Sequence, residues 1–272
     1  MTAGKKVGII GCGTIGGQLA MAIDGGFVKN AALVSLFDVV QGSAQSLKQK
    51  LRADVSAYDD FGAFIATDCD IVVEAASQDA VKKFASCILE SGKDVMIMSV
   101  GALADGALLS SLLTLEGRIY VPTGAIAGID AIRAVRHLLD SITLTTTKSP
   151  KALAGAPFFQ TSKVKLDEIR EKQTVYEGPA SEAVRMFPAN VNVAAVLSLA
   201  GMGFEKTTVR IVADPAASTN QHEINARGNF GEFRFAVSNV PSPGNPKTSY
   251  LAVLSAIECL RSVCGDGMRI GS

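Results

Sequence analysis

"VGIIGCGTIGGQLA", Val7 to Ala20, decides how the rest of the chain is read. An apolar run of strand length stops at Gly11, and glycine recurs at Gly13, Gly16 and Gly17 before helical apolar spacing resumes. A G-x-G-x-x-G motif between a strand and a helix has a steric and an electrostatic meaning. Gly11 permits the sharp turn, Gly13 lets backbone N–H groups approach a diphosphate, and Gly16 lets the helix lie close to its strand. The helix start at Thr14 and Ile15 then offers N–H groups that need acceptors. Twenty-two residues past Gly16, at the end of the strand "LVSLF", stands Asp38, a carboxylate able to accept both ribose hydroxyls of an adenosine and to repel a 2′-phosphate. These residues point to NAD as cofactor. NADP stays possible, because Lys48, Lys50 and Arg52 lie nearby in sequence.

The totals bound the rest. With 272 residues, 48% of them hydrophobic, the chain can bury a large core. Lys plus Arg equals Asp plus Glu at 26 each, so no charge excess favours a nucleic acid or an anionic membrane. Five cysteines, Cys12, Cys69, Cys87, Cys259 and Cys264, form no C-x-x-C pair and are read as small buried hydrophobes in a reduced, cytoplasmic compartment. No run of 18 apolar residues occurs and no metal is expected.

Five β-rich runs, 6–10, 32–37, 70–75, 94–99 and 118–121, alternate with helical stretches. "DIVVEAA" and "DVMIMSV" lack polar alternation, as strands buried on both faces of a parallel sheet do. Between these two runs, Ser77 offers an N-cap and Gly92 a stop. The expected fold is therefore α/β: a Rossmann-type dinucleotide-binding domain over 1–122. After Pro122, period-two runs such as "SITLTTTK", "TTVRIVAD" and "GEFRFAVS" predict a substrate-binding α+β domain over 123–244, built on a largely antiparallel sheet. "NVPSPGNPK", Asn239 to Lys247, reads as a linker, and a C-terminal helix within 245–272 is expected to return to the first domain.

Only two histidines are present. His137, in "AIRAVRHLLD", reads as a surface helix residue beside Arg133 and Arg136. His222 lies in "STNQHEINARGNFGEF", a polar, turn-rich stretch before a strand, where a scaffold would display a functional side chain. Lys148 and Lys163 are the lysines that could assist a deamination or hold a carboxylate, and Ser99 is a weaker donor candidate.

The chain resembles the L-aspartate dehydrogenase family over nearly its whole length. "GIIGCGTIGG", "SVGAL" (Ser99–Leu103), "PTGAIAGIDA" (Pro122–Ala131), "FPANVNVAAVLSLAG" (Phe187–Gly201), "RIVADP" (Arg210–Pro215), the His222 segment and "NPKTSYL" (Asn245–Leu251) carry the likeness. It implies NAD(P)-dependent oxidative deamination of L-aspartate to iminoaspartate, then to oxaloacetate and ammonia, with the imine able to feed quinolinate and NAD synthesis. It further implies that His222 is the active-site histidine, that Ala125 and Asn190 contact NAD, and that the protein is a homodimer. One departure is Leu153–Gln160, "LAGAPFFQ", with Phe158 and Phe159 where relatives are expected to be more polar.

From these residues His222, with an ordinary pKa near 6.5, is expected to take a proton from the amine or from attacking water. Lys148, Lys163 and Ser99 are expected to meet the two substrate carboxylates. A dihydrodipicolinate reductase would show H-H-x-x-K, and this chain has no adjacent histidines. A dehydrogenase of another amino or hydroxy acid, and a non-catalytic NAD(H) sensor, are the alternative readings.

Overall fold

The computed structural model describes residues 4–188, 192–243 and 245–265. They fall into two compact units, Met1–Pro122 with Val253–Ser272, and Thr123–Ala252.

The first unit runs β1 (Lys5–Ile10), α1 (Thr14–Asp24), β2 (Ala31–Phe37), α2 (Ser43–Lys48), β3 (Ser56–Tyr58), α3 (Phe61–Ile65), β4 (Ile71–Glu74), α4 (Gln78–Glu90), β5 (Asp94–Ile97), a 3₁₀ turn (Val100–Ala104), α5 (Gly106–Leu112) and β6 (Ile119–Tyr120). Its six strands are ordered β3-β2-β1-β4-β5-β6 and all pair in parallel. The chain reverses its direction of travel across the sheet between β1 and β4, the switch point at which such folds bind ligands. The apolar runs behave as their lack of alternation requires, with Ile71, Val72 and Val73 all fully buried. Ser77 caps α4, its hydroxyl accepting from Ala80 N at 3.1 Å, and Gly92 follows the helix at φ +74°. The short strand β3 has no period to announce it.

One face of this sheet is covered by α1 through Leu19, Ala20 and Ile23, packed with Val7, Ile9 and Leu36. Ala256, Leu260 and Cys264 of α11 (Tyr250–Cys264) join that cluster. Each large aliphatic side chain so buried contributes about 1.5–3 kcal/mol. Helix α1 can approach only because its first turn lacks a side chain: a Cβ on Gly16 would overlap the Gly11 carbonyl oxygen.

In the second unit come α6 (Ile129–Val135), β7 (Leu139–Lys148), α7 (Pro150–Leu153), α8 (Phe158–Thr161), β8 (Gln173–Pro179), α9 (Ala180–Met186), α10 (Asn192–Ala200), β9 (Thr207–Ala213), β10 (Asn220–Gly228), β11 (Gly231–Asn239), β12 (Pro241–Ser242) and β13 (Asn245–Ser249). Five strands form a sheet ordered β11-β10-β7-β9-β8. Three of its ladders are antiparallel, and β7 pairs with β9 in parallel. β7 and β9 run parallel because β8 lies between them in sequence and carries the chain back across the sheet antiparallel to both.

Several expectations need correction. His222 is not displayed on a loop: it is the third residue of β10, with Gln221, Glu223 and Asn225 half-buried while His222, Ile224 and Ala226 point inward. The "linker" pairs β12 with β13 antiparallel. His137 lies exposed beyond the end of α6, not within the helix. Among the cysteines Cys69 and Cys264 are buried, Cys12 and Cys259 are partly so, and Cys87 is exposed; all are free thiols.

Phe158 and Phe159, the departure noted above, have a packing role. Their ring centroids lie 5.1 and 5.9 Å from that of Phe187, which also meets Tyr176 at 5.4 Å. Phe187 is fully buried. Phe187→Ala should therefore cost about 3–5 kcal/mol in a urea titration. Gly16→Ala sets backbone against a new Cβ with no flexible atom to yield, and should fail to give a cooperative unfolding transition. A normal transition for either variant would contradict the packing described.

Candidate active site

The first unit supplies an open turn at the start of α1. Gly11 takes φ +92°, and a Cβ there would stand 2.6 Å from Ala75 O. Around Gly13 a Cβ would meet nothing within 4 Å, so the space beside it is open, and no side chain caps the start of α1. An open, side-chain-free helix start of eleven residues suits a dinucleotide phosphate. Thr14 and Ile15 open that helix, half-buried.

Asp38 is welded to the same turn. Its Oδ2 accepts from Cys12 N at 2.7 Å and its Oδ1 from Val40 N at 2.9 Å. Each oxygen keeps further acceptor capacity. Of the nearby cations, Lys48 pairs with Asp54 at 3.3 Å, Arg52 bonds to Asp24 through Nε and, through Nη2, to its carbonyl at 3.0 Å, and Lys50 is exposed. Burial, with help from the Asp38 charge, pushes the Cys12 thiol up to about 12, so it stays protonated at neutral pH.

At the ends of β4 and β5 lies a carboxylate that sequence reasoning missed. Glu74, 2% exposed, accepts at Oε1 from Ala76 N (2.8 Å), Ser77 N (2.9 Å) and Ser99 Oγ (2.9 Å), and at Oε2 from Ser99 N (2.9 Å). Burial raises its pKa against the pull of these donors. The Ser99 hydroxyl thus spends its proton on Glu74.

In the second unit, register decides which groups meet. His222 on β10 stands directly opposite Thr146 on β7, and Thr146 Oγ1 lies 3.0 Å from His222 Nδ1. Strand parity places Lys148 on the same face as Thr146. Thr146, Lys148 and His222 are 1%, 8% and 5% exposed, at the polar end of a face that otherwise carries Ile142, Leu144, Ile224 and Ala226. Burial, then the Lys148 charge, lowers the His222 pKa to about 3. Burial lowers the Lys148 pKa to about 8. Against the expectation of an ordinary imidazole near 6.5, burial and the Lys148 charge favour the neutral ring of His222. Parity in "SITLTTTK" could have marked Thr146, since the alternation that turns Ile142 and Leu144 inward does the same for residues 146 and 148.

Ala125 is buried, and its carbonyl accepts from Asn239 Nδ2 at 2.9 Å, a second buried polar contact with no sequence signal. Gly124 and Gly128 flank it at φ +71° and +79°, and a Cβ on Gly128 would overlap the Phe235 ring. Lys163 lies exposed beyond α8. Asn190 lies outside the described residues.

Comparison with known proteins agrees with this division of labour. The family described as "Aspartate dehydrogenase, C-terminal" matches residues 130–263, and "Homoserine dehydrogenase, NAD binding domain" matches 11–121. An L-aspartate dehydrogenase of Nitrosopumilus maritimus is 47% identical, covering 98% of this chain and 100% of its own. One from Methanosarcina barkeri is 48% identical, with 95% and 96% covered. The crystal structure of a Thermotoga maritima aspartate dehydrogenase superposes with a TM-score of 0.76 at 29% identity, covering 98% of this chain and 99% of that one. With close to half its residues shared along almost all its length, and the same C-terminal family over the part that holds His222, the chain belongs to the L-aspartate dehydrogenase family.

Proposed function

We propose that this chain oxidises L-aspartate to iminoaspartate with NAD, releasing oxaloacetate and ammonia after hydrolysis. The observation that carries the reading is the near-full-length identity to L-aspartate dehydrogenases together with the buried Thr146–His222–Lys148 group. The same reading takes the enzyme to be a cytoplasmic homodimer whose imine can supply quinolinate and NAD synthesis. Among the described residues no helix is long and apolar enough to cross a membrane.

Gly11, Gly13, Thr14, Ile15 and Gly16 would hold the diphosphate, Asp38 the adenosine ribose, and Ala125 and Asn190 the nicotinamide side. When bound, NAD supplies the acceptor for the hydride that leaves the substrate Cα. Two facts favour NAD over NADP: Asp38 faces the turn as a carboxylate, and Lys48 and Arg52 are paired away.

His222 presents its second nitrogen, Nε2, while Nδ1 is committed to Thr146. A neutral imidazole offers one donor and one acceptor; the Thr146 hydroxyl can take either role toward Nδ1, so the bond orients the ring without selecting its tautomer. Lys148 stands on the same face as an amine that burial lets exist in both forms near neutral pH. Of the three residues considered for the substrate carboxylates, Lys148 shares the buried face with His222, Lys163 is exposed, and the Ser99 proton is held by Glu74.

Absorbance at 340 nm with purified protein, oxaloacetate, ammonia and NADH tests the reading: no oxidation would leave the redox-sensor alternative. His222→Ala should lose roughly 10²–10⁴ in turnover while NADH binding, followed by fluorescence, holds. Asp38→Ala should weaken NAD and shift preference toward NADP; an unchanged ratio would unseat the ribose contact. Gly13→Ala, whose Cβ meets no protein atom, should melt like the parent yet bind NADH more weakly.

A further inference from the structure

The two ionisable side chains of the buried group stand in the reverse order of what their residue types suggest. An imidazole is the usual proton carrier and a lysine the usual carboxylate anchor. Here the imidazole is the more restrained partner. One ring nitrogen is bonded to a cross-strand threonine that is itself 1% exposed, and the charge of Lys148, on the same sheet face, opposes protonation of the ring. A second positive charge at His222 would have to form next to Lys148 in a site with little water. Lys148 ends its strand and is also desolvated, a state that favours the neutral amine.

Deepening the proposed function and resting on it, we propose that the proton leaving the substrate ammonium is taken by the Lys148 amine, while His222, oriented by Thr146, remains a neutral hydrogen-bond group to the substrate. In this step an N–H bond of the α-ammonium breaks and its electron pair stays on the substrate nitrogen. A bond forms to Nζ of Lys148, and the charge moves with the proton. The resulting lysine ammonium gives its proton to solvent before the next turnover, which accounts for the one proton released overall when aspartate, NAD⁺ and water become oxaloacetate, ammonium and NADH. Thr146 is then a positioning residue.

His222 on β10 lies on the same sheet face as Lys148, opposite Thr146, and the register partner of Lys148 on β9, Ala213, is uncharged. Asp214, next along, accepts at Oδ1 from Ala216 N at 2.9 Å, and Lys151 on α7 is exposed. The α7–α8 segment that follows Lys148 is pinned by Phe158 against Phe187.

An anchor and a proton carrier respond differently to a permanent cation. Lys148→Arg keeps the charge and cannot deprotonate at working pH. It should lose at least about 10² in kcat/KM for aspartate and lose the rise in rate centred near pH 8, where burial places Lys148. His222→Asn should be slower but keep that rise. Retention of rate and profile by Lys148→Arg, or loss of the rise in His222→Asn with its survival in Lys148→Arg, would overturn the proposal. If Lys148→Arg melts well below the parent, Lys148→Ala with added ethylamine replaces it: rescue should follow the free-base fraction, and rescue following total cation would favour the anchor. Independently of turnover, a ¹³C NMR titration of the lysine Cε signals, assigned by the Lys148 variant, should show that lysine titrating near pH 8 in the protein without cofactor; an ordinary value near 10.4 would refute it. A parent enzyme that fails to reduce NAD⁺ with L-aspartate removes the reading and the proposal together, whereas an active parent with an equally active Lys148→Arg removes the proposal alone.

Discussion

The closest approach in the first unit is between the backbone at Gly11 and the helix turn at Gly16, where no Cβ could be accommodated. That contact lets α1 lie on β1 and bury Leu19 and Ile23, and it also aims the helix start at the open space beside Gly13. Neighbouring parts are bound to the same turn. Cys12 N donates to Asp38, and Ala75 O fills the room a side chain on Gly11 would need. The Asp38 carboxylate and the Gly11–Gly16 turn thereby keep a fixed spacing, which would be preorganisation for a ligand that meets both: the geometry exists before a ligand contributes any binding energy.

The second unit applies a different constraint. Its sheet buries one face beneath helices, and period two decides what each strand sends there. Most positions send aliphatic groups; one end sends a threonine, a histidine and a lysine. Burying ionisable groups has a cost, and it moves both groups toward their uncharged forms. The imidazole is held neutral and the amine is brought close to neutrality, so both can serve in uncharged form.

Much of this was legible in the sequence because its signals are local. The G-x-G-x-x-G turn, the unalternating strands at 71–74 and 94–97 and the Ser77 cap all depend on residues a few positions apart, and all appear where the pattern puts them. What escaped depends on register between distant segments. Nothing near residue 222 says that it faces Thr146, 76 positions away, and the polar residues around it disguise a strand as a loop. The buried partners Glu74 and Asn239 were missed for the same reason: their donors and acceptors lie 25 and 114 positions off, respectively, for Ser99 and Ala125.

The Glu74 clasp has an evolutionary corollary. Two loops that follow different strands converge on one carboxylate through three amides and a hydroxyl. An apolar residue at 74 would strand those amides, while a bulky residue at 99 would push the loops apart and leave the acid without its hydroxyl partner. Across related chains, positions 74 and 99 should accordingly be exchanged as a pair, inherited together or not altered at all.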